Sequence, residues 1–368
     1  MRHPLFILIP AFFLGLHANA QQARQADSVN FYGRLLAQMA AYDQTVEMQN
    51  NGSRIGINLQ RTSLKGFRAE GRIELGINLL KNNTSFNRGL ATADNPSAFL
   101  TETVKPVTTR LGYIGLSSDT WGTLRFGKQW GVYYDVGSWT DNFNVFGSLA
   151  SGSFNKGTDG GSEGTGRAES AITYHNTFHR FTIGLQGQTP GQTYNFGGSL
   201  VYNLPCRVSL GAAYNYYQIP ENIRQAVLNS KKAANSAVVS FRYAAGSNYI
   251  AVLYAYNESE DEFPNDTTII GFAANGIELY AHHYFTPKFM VLGGFNYLKP
   301  SGKFNLLPSD FRILSIPVGA AYAILPDLIC YSEFEFNKNI SVKGVKGTNV
   351  YCLGFRYNFS FGRSGFKI

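Results

Sequence analysis

Residues 351–361 read YCLGFRYNFSF, and this stretch decides the fold. Every second residue from Tyr351 to Phe361 is apolar or aromatic, whereas Arg356 and Asn358 fall between them. Successive side chains of a β-strand point to opposite faces of its sheet. The alternation therefore predicts a strand with one apolar face and one polar face.

The same alternation recurs along the chain. It is found in residues 30–39, 53–61 and 67–77, and the 3.6-residue period of an amphipathic helix is nearly absent. The polar set of residues 67–77 contains two arginines and two glutamates, which a dry core would not accept unpaired. The sequence thus predicts an all-β fold whose polar faces meet water.

The composition excludes several classes of protein. The chain has 368 residues, of which 14% are aromatic, so it is not disordered. Its charged fraction of 15% is low, and its net charge of +8 is not concentrated in a basic run that would indicate nucleic acid binding. Three cysteines without a Cys-x-x-Cys pair predict neither a disulfide scaffold nor a metal site. After residue 20, no apolar run approaches the roughly 18 residues that a membrane-spanning helix needs.

The first twenty residues have the pattern of an export signal. Arg2 and His3 precede the apolar run LFILIPAFFLGL at residues 5–16, and Ala18 and Ala20 flank Asn19 as a small-x-small cleavage site. We expect cleavage after Ala20. The mature protein, residues 21–368, would then leave the cytoplasm.

Short and long connections alternate strictly between the predicted strands. Short turns are predicted at residues 63–65, 118–120, 177–179, 204–206, 245–247, 286–288 and 325–327. Long loops are predicted at residues 40–52, 78–108, 129–166, 188–194, 217–234, 257–266, 299–311 and 337–346. These connections join sixteen strands, provided that residues 267–285 form a single strand despite Gly276.

A soluble β-sandwich would also hide one face of each strand, but two features favour a barrel in lipid. Connections of alternating length and aromatic residues at strand ends are typical of transmembrane β-barrels. Because lipid offers no hydrogen bonds to the backbone, such a sheet must close on itself. We therefore predict an antiparallel barrel of sixteen strands, with an aqueous lumen and an apolar outer face against membrane lipid.

Three stretches resemble a known family. Residues 31–36 read FYGRLL; residues 108–147 contain TRLGYIGL, GTLRFGKQ and YDVGSWTDNFNVFG in that order; and residues 166–176 read GRAESAITYHN. This ordered set is similar to the Gram-negative general-diffusion porins. The resemblance implies a homotrimer of barrels in the outer membrane, each with its third loop folded into the lumen. It also implies passive diffusion of small hydrophilic solutes and ions, with no enzymatic activity and no cofactor.

In that family, basic side chains on the barrel wall face acids on the inward loop. Carried over by motif, the resemblance implies a basic wall of Arg34, Arg54, Arg110 and Arg167, a loop acid at Asp141, and loop-packing residues Tyr134, Asp135, Phe146 and Gly147. Where family members often carry a second loop acid, this chain has Val145. Four arginines against one acid predict a weak preference for anions. Five glutamates on lumen-facing positions would reduce that preference: Glu70, Glu74, Glu278, Glu333 and Glu335.

The strand pattern supports part of this set. Arg34 and Arg54 fall on the polar parity of their strands. If Arg110 faces the lumen, strict alternation places Gly112 and Ile114 on the same face. Leu111 and Tyr113 would then face lipid.

The third loop, residues 129–166, divides into two halves. Its first half is aromatic, which indicates packing against the inner wall, with an ordinary hairpin loop as the alternative. Its second half, residues 151–166, reads SGSFNKGTDGGSEGTG and predicts a mobile segment. His175 and His179 flank a predicted short turn, and we expect both at the surface.

Three other functions stay open at this stage. One is a substrate-selective channel for phosphate-like or carboxylate anions, in which the arginines form a track. Another is a non-conducting adhesin or receptor barrel. The third is an outer-membrane enzyme such as a lipase, which needs a Ser-His-acid set at the lipid-facing rim. The sequence places no histidine beside a serine in that position.

Overall fold

The computed structural model describes residues 27–62, 66–80, 105–154, 159–189, 191, 193–265, 268–302, 307–341 and 344–366. The predicted export signal at residues 1–20 and the predicted turn at 63–65 lie outside the described residues, as does most of the predicted loop at 78–108.

Within these ranges the chain is almost entirely strand. The strand segments are β1 (Asp27–Tyr42), β2 (Thr45–Asn50), β3 (Arg54–Thr62), β4 (Phe67–Ile77), β5 (Val107–Ser118), β6 (Gly122–Trp130), β7 (Arg167–Phe178), β8 (Phe181–Gln188), β9 (Asn195–Asn203), β10 (Val208–Gln218), β11 (Val227–Leu228), β12 (Ala233–Ala245), β13 (Asn248–Asn265), β14 (Thr268–Tyr284), β15 (Phe289–Pro300), β16 (Ile313–Leu325), β17 (Leu328–Asn337) and β18 (Val350–Phe366). Two short helices accompany them, α1 (Tyr134–Gly137) and α2 (Glu221–Ala226). No helix in the described part of the chain is long and apolar enough to cross a membrane.

Sixteen wall strands form a closed antiparallel barrel in the described ranges. Segments β2 and β3 both pair with β1, so they make one wall strand interrupted at residues 51–53. Segment β11 lies in the connection between β10 and β12 and is not part of the wall. The last strand, β18, pairs with β1 along its length and closes the sheet. The predicted sixteen-stranded barrel is confirmed, and the stretch predicted at 267–285 contains the single strand β14, which runs from Thr268 to Tyr284.

The two faces of the wall differ as the alternation predicts. In β18, Phe355 is 50% exposed on the outer face, whereas its neighbours Gly354 and Arg356 face inward. The outer face carries exposed apolar side chains on most strands, such as Phe31, Leu200 and Val239. This is the surface that a lipid environment requires.

Three details differ from the sequence-based expectation. Most of the predicted loops at 40–52 and 257–266 are continuations of paired strands, because the β1–β2 ladder extends to the pair Tyr42 and Thr45 and the β13–β14 ladder to the pair Asn265 and Thr268. Strand β18 likewise runs past residue 361 to Phe366, since its end pairs with the start of β1 at Asp27.

The parity predicted for β5 is wrong. Glu74 pairs with Leu111 and Leu75 pairs with Thr109, so Arg110 is an extra residue between two ladder positions. Such a β-bulge shifts the alternation by one residue. Arg110 therefore points into the lumen, and Ile114 is 69% exposed on the outer face instead of lying inward.

Candidate pore constriction

The connection between β6 and β7, described at residues 131–154 and 159–166, lies inside the barrel; we call it the inner loop. Helix α1 packs against β9, β10 and β12, and Tyr133 and Val136 join the buried side chains of that wall. Further along, Phe146 packs with Leu36 and Tyr331 on the far side of the barrel. The inner loop thus packs against the wall from β7 round to β1, and a cavity remains between it and parts of β1, β3 and β5.

A buried carboxylate on β17 holds the tip of the inner loop. The Oε1 atom of Glu333 accepts hydrogen bonds from the backbone N and Nδ2 of Asn144, at 2.7 and 3.0 Å. Its Oε2 atom accepts from the backbone N of Val145 and Phe146, at 2.9 and 3.4 Å. Charge-assisted bonds of this kind are stronger than bonds between neutral groups. Gly147, the next residue, has a φ of +144°, which favours glycine.

A second buried carboxylate, on β14, ties two parts of the inner loop together. Glu278 accepts from Thr140 Oγ1 at 2.5 Å on the outgoing arm and from Ala150 N at 2.8 Å on the returning arm. Two residues away on the same face, Gly276 leaves room for the carbonyl group of Ala150, which a Cβ atom there would strike. Glu278 and Glu333 are therefore anchors of the loop, and both are buried beneath it instead of facing the open lumen.

The glycine-rich second half of the loop is also bound to the wall where it is described. Side-chain amides on β8, β9 and β10 donate to four consecutive backbone carbonyls: Gln188 to Gly161 (2.5 Å), Asn195 to Ser162 (2.7 Å), Asn215 to Glu163 (2.8 Å) and Gln186 to Gly164 (3.0 Å). The mobility of this segment stays a prediction, but inward-facing amides bind the carbonyls of residues 161–164 to the wall. Residues 155–158 lie outside the described residues.

Asp135 attaches the start of the inner loop to the wall. Its Oδ2 atom lies 2.9 Å from His175 Nε2 and accepts from Ser199 Oγ at 2.6 Å. The carboxylate sits over Gly184, where a side chain would meet it. The expectation of a surface position is wrong for His175, because its inward parity on β7 brings the ring to the loop.

An arginine row crosses the wall opposite the inner loop. Arg34 on β1 and Arg54 on β3 are directly paired in the sheet. The stem of Arg110 lies over Gly76, the residue that pairs with Arg54, because the absent side chain leaves space for it. Like charges directly opposite each other on neighbouring strands are destabilising. The row is thus held against its own electrostatic repulsion.

The predicted charged residues meet in one cavity of about 660 Å³. Arg34, Arg54, Arg110, Arg167 and Asp141 all line it, together with Tyr134, Phe146 and Gly147 of the loop-packing set. Asp135 is not among the lining residues, because it lies against the wall. The arrangement brings the basic wall and the loop acid to the same stretch of lumen.

Some of these charges are compensated locally. Glu74 accepts from Arg110 at 2.8 Å, and Asp159 lies 3.4 Å from Arg167. Among the described residues, no carboxylate comes within 4.0 Å of the Arg34 or Arg54 side chains. The charged side chains that line the cavity are five arginines and two aspartates.

The carboxylate of Asp141, the predicted acid of the inner loop, has a fixed hydrogen-bond partner. Tyr134 donates its hydroxyl hydrogen to Asp141 Oδ2 at 2.5 Å. Burial, and next the charge of Asp141, raises the pKa of Tyr134 well above its ordinary value. The tyrosine is therefore a neutral donor at physiological pH, and it fixes the direction of the loop acid.

Sequence reasoning missed one basic residue of the cavity. Arg356 on β18 lines it and donates from Nη1 to Asn144 Oδ1 on the inner loop, at 2.7 Å. Its polar parity was visible in the stretch YCLGFRYNFSF. Its place beside the loop tip was not, because that contact joins residues 212 positions apart.

Comparison with known proteins now decides the family. The model of the Gram-negative porin family matches residues 9–364. The chain belongs to the Gram-negative porin family. Outer membrane porin F of Xenorhabdus nematophila is 24% identical over 392 residues, which cover 97% of this porin and 100% of the relative. Porin OmpD of Salmonella typhimurium is 27% identical over 276 residues, covering 68% and 74%.

Solved structures agree with the fold of this porin. Salmonella typhi OmpF, in complex with daunomycin, has a TM-score of 0.71 and 18% identity, over 91% of this chain and 98% of the other. The trimer form of Vibrio cholerae OmpT has a TM-score of 0.65 and 15% identity, over 91% and 100%. The protein is thus an outer-membrane channel for passive diffusion through a water-filled barrel, and not an enzyme.

Proposed function

We propose that the cavity between the arginine row and the inner loop is the constriction of this porin, and that it gives a weak preference for anions. The observation that carries the proposal is the charge of the cavity lining. Its charged side chains are Arg34, Arg54, Arg110, Arg167 and Arg356 against Asp141 and Asp159. An ion that passes between the two faces meets an excess of fixed positive charge.

The physical chemistry of arginine supports this role. Guanidinium groups stay protonated at any physiological pH, so the field is permanent. The low-dielectric wall concentrates that field in the aqueous path. Because the path contains water and salt, each charge acts over only about 8 to 10 Å. We therefore expect a modest selectivity, which Glu74 lowers further through its ion pair with Arg110.

Reversal potentials of the purified porin in planar bilayers test the proposal. Under a potassium chloride gradient, we expect a reversal potential on the chloride side. Arg54→Gln should move it toward potassium, since Arg54 has no carboxylate partner among the described residues. A preference for potassium in the unaltered protein would contradict the proposal.

We also propose that the porin is a homotrimer. The trimer form of Vibrio cholerae OmpT, a protein of the same fold, supports this state. Conductance that rises in groups of three equal steps, together with a trimer mass in detergent, is the expected result. Single steps and a monomer mass would contradict it.

A substrate-selective anion channel is the second candidate. It is favoured by the direct pairing of Arg34 with Arg54, because an anion bound between them would relieve their repulsion. Phosphate or a dicarboxylate would then give a current that saturates with concentration. A current that rises linearly would support general diffusion instead, and no current at all would support the adhesin or receptor reading.

A further inference from the structure

Arg356 occupies a distinct place at one end of the arginine row. It lies on β18, where it pairs with Leu36, and the neighbouring inward position Asn358 pairs with Arg34. Asn358 Oδ1 accepts from Arg34 Nε at 3.1 Å, whereas Arg356 donates to Asn144 on the inner loop. The last guanidinium of the row is thus held by the loop and not by the wall.

The amide of Asn144 joins two charged groups. Its Nδ2 donates to Glu333 Oε1 at 3.0 Å, and its Oδ1 accepts from Arg356 Nη1 at 2.7 Å. This orientation is fixed by charge, because a turned amide would place its NH2 group against the guanidinium and its oxygen against the carboxylate. Its backbone N–H also bonds Glu333, so Asn144 is tied to β17 through both its backbone and its side chain.

The charge of Arg356 is available to ions in the cavity. Among the described residues, no carboxylate lies within 4.0 Å of its guanidinium, although Glu333 stands beyond Asn144. The side chain is partly exposed and lines the cavity. Arg125, by contrast, has its charge paired with Glu70.

We propose that Arg356 is a specificity-determining residue of the pore and that Asn144 is its positioning residue. The proposal rests on the proposed anion preference of the same constriction. It adds that the charge at this end of the pore depends on the seating of the loop tip, because Glu333 holds Asn144 and Asn144 holds Arg356. Selectivity and loop position are then coupled through one amide.

Replacing Arg356 tests the first half of the proposal. One unit charge at about 7 Å in water interacts with a monovalent ion by about RT, and salt screening roughly halves this; because the effect has opposite sign for chloride and potassium, Arg356→Gln should lower the chloride-to-potassium permeability ratio about threefold. Arg356→Lys keeps the charge and should retain most of the ratio. Arg125→Gln is the matched control, since Arg125 faces inward but its charge is paired with Glu70 and it does not line the cavity.

A double-variant cycle tests the second half. Asn144→Ala removes the support of Arg356 without changing any charge, and we expect a smaller fall in the permeability ratio. In the double variant with Arg356→Gln, the loss of Asn144 should produce no further fall, because its effect acts through the arginine. Two falls that multiply would overturn the positioning role.

The outcomes separate this proposal from the broader one. Equal ratios for Arg356→Gln and Arg125→Gln would overturn the role of Arg356, whatever the preference of the unaltered porin. A potassium preference in the unaltered porin, with a threefold fall for Arg356→Gln alone, would overturn the proposed anion preference and leave the role of Arg356 supported. Unchanged step size and trimer mass in each variant exclude misfolding as the cause.

Discussion

Replacing Glu333 by glutamine removes one of the two oxygen atoms that hold the tip of the inner loop. Four N–H bonds converge on these oxygens, two on each, from residues 144–146. The new NH2 group would face two of these donors and leave them unpaired. A buried donor without a partner costs about 1 to 3 kcal/mol, so the gross loss is about 2 to 6 kcal/mol.

Part of this loss is offset. Glu333 is fully buried, and removing its charge also removes the cost of keeping a carboxylate away from water. We expect a net weakening of the docked loop tip of about 2 kcal/mol. At about 1.4 kcal/mol for each factor of ten, the undocked population rises about thirtyfold.

Single-channel recording measures that population. A loop tip that leaves the wall enters the lumen, so we expect Glu333→Gln to close at a lower voltage and to show more frequent brief closures. The matched control is Glu335→Gln, two residues along the same face of β17. Its buried carboxylate bonds Ser315 and Asn337 of the wall and, among the residues that the structure describes, makes no bond with the inner loop.

Equal closing voltage and closure frequency in Glu333→Gln and the unaltered porin would refute the reasoning. Equal changes in Glu333→Gln and Glu335→Gln would refute it as well, since they would trace the effect to loss of any buried carboxylate. Only a change confined to position 333 supports an anchor role.

Three further predictions concern the loop and the row. Gly276→Ala should displace the returning arm of the loop and reduce the conductance step, whereas Gly187→Ala, where an added Cβ meets nothing within 4 Å, should not. Glu74→Gln should shift the reversal potential further toward chloride, because it removes the acid beside Arg110. Burial raises the pKa of Asp159. The hydrogen bond from Lys128 and the charge of Arg167 together outweigh burial, so the pKa lies below its ordinary value. The loop contact of Asp159 should therefore persist as pH falls to about 4 and be lost only below that, and conductance recorded against pH in the Asp159→Asn variant should lack this acid transition.

The wall of the barrel was predictable because its cause is local. Alternation along a strand requires only that one face meets lipid and the other water, and each strand carries that pattern itself. Strand β14 is a clear case, since the pattern of residues 267–285 predicted a single strand through Gly276. The inward positions of Arg34 and Arg54 follow from the same rule.

What the pattern could not predict depends on single insertions or on distant contacts. The bulge at Arg110 inverts the parity of the rest of β5, and no local signal marks it except that Ile114 suits lipid better than water. The glycine-rich half of the inner loop has the composition of a flexible segment, and its attachment to the wall comes from amides on three other strands. The role of Arg356 depends on Asn144, which only the folded loop brings to it.

The hydrogen bonds that hold the second half of the inner loop affect which substitutions this segment can accept. The wall amides bind carbonyl oxygens, which every amino acid has, so the contact does not depend on which side chains the loop carries. Ser162, which is exposed, can change identity while its carbonyl stays bound, whereas Glu163 is buried and Gly164 is constrained by its φ of +88°. Point changes can thus give this stretch of the pore new charges while the loop stays in place. The amides themselves are less free to vary, because Asn195 and its three counterparts hold the loop through their side chains.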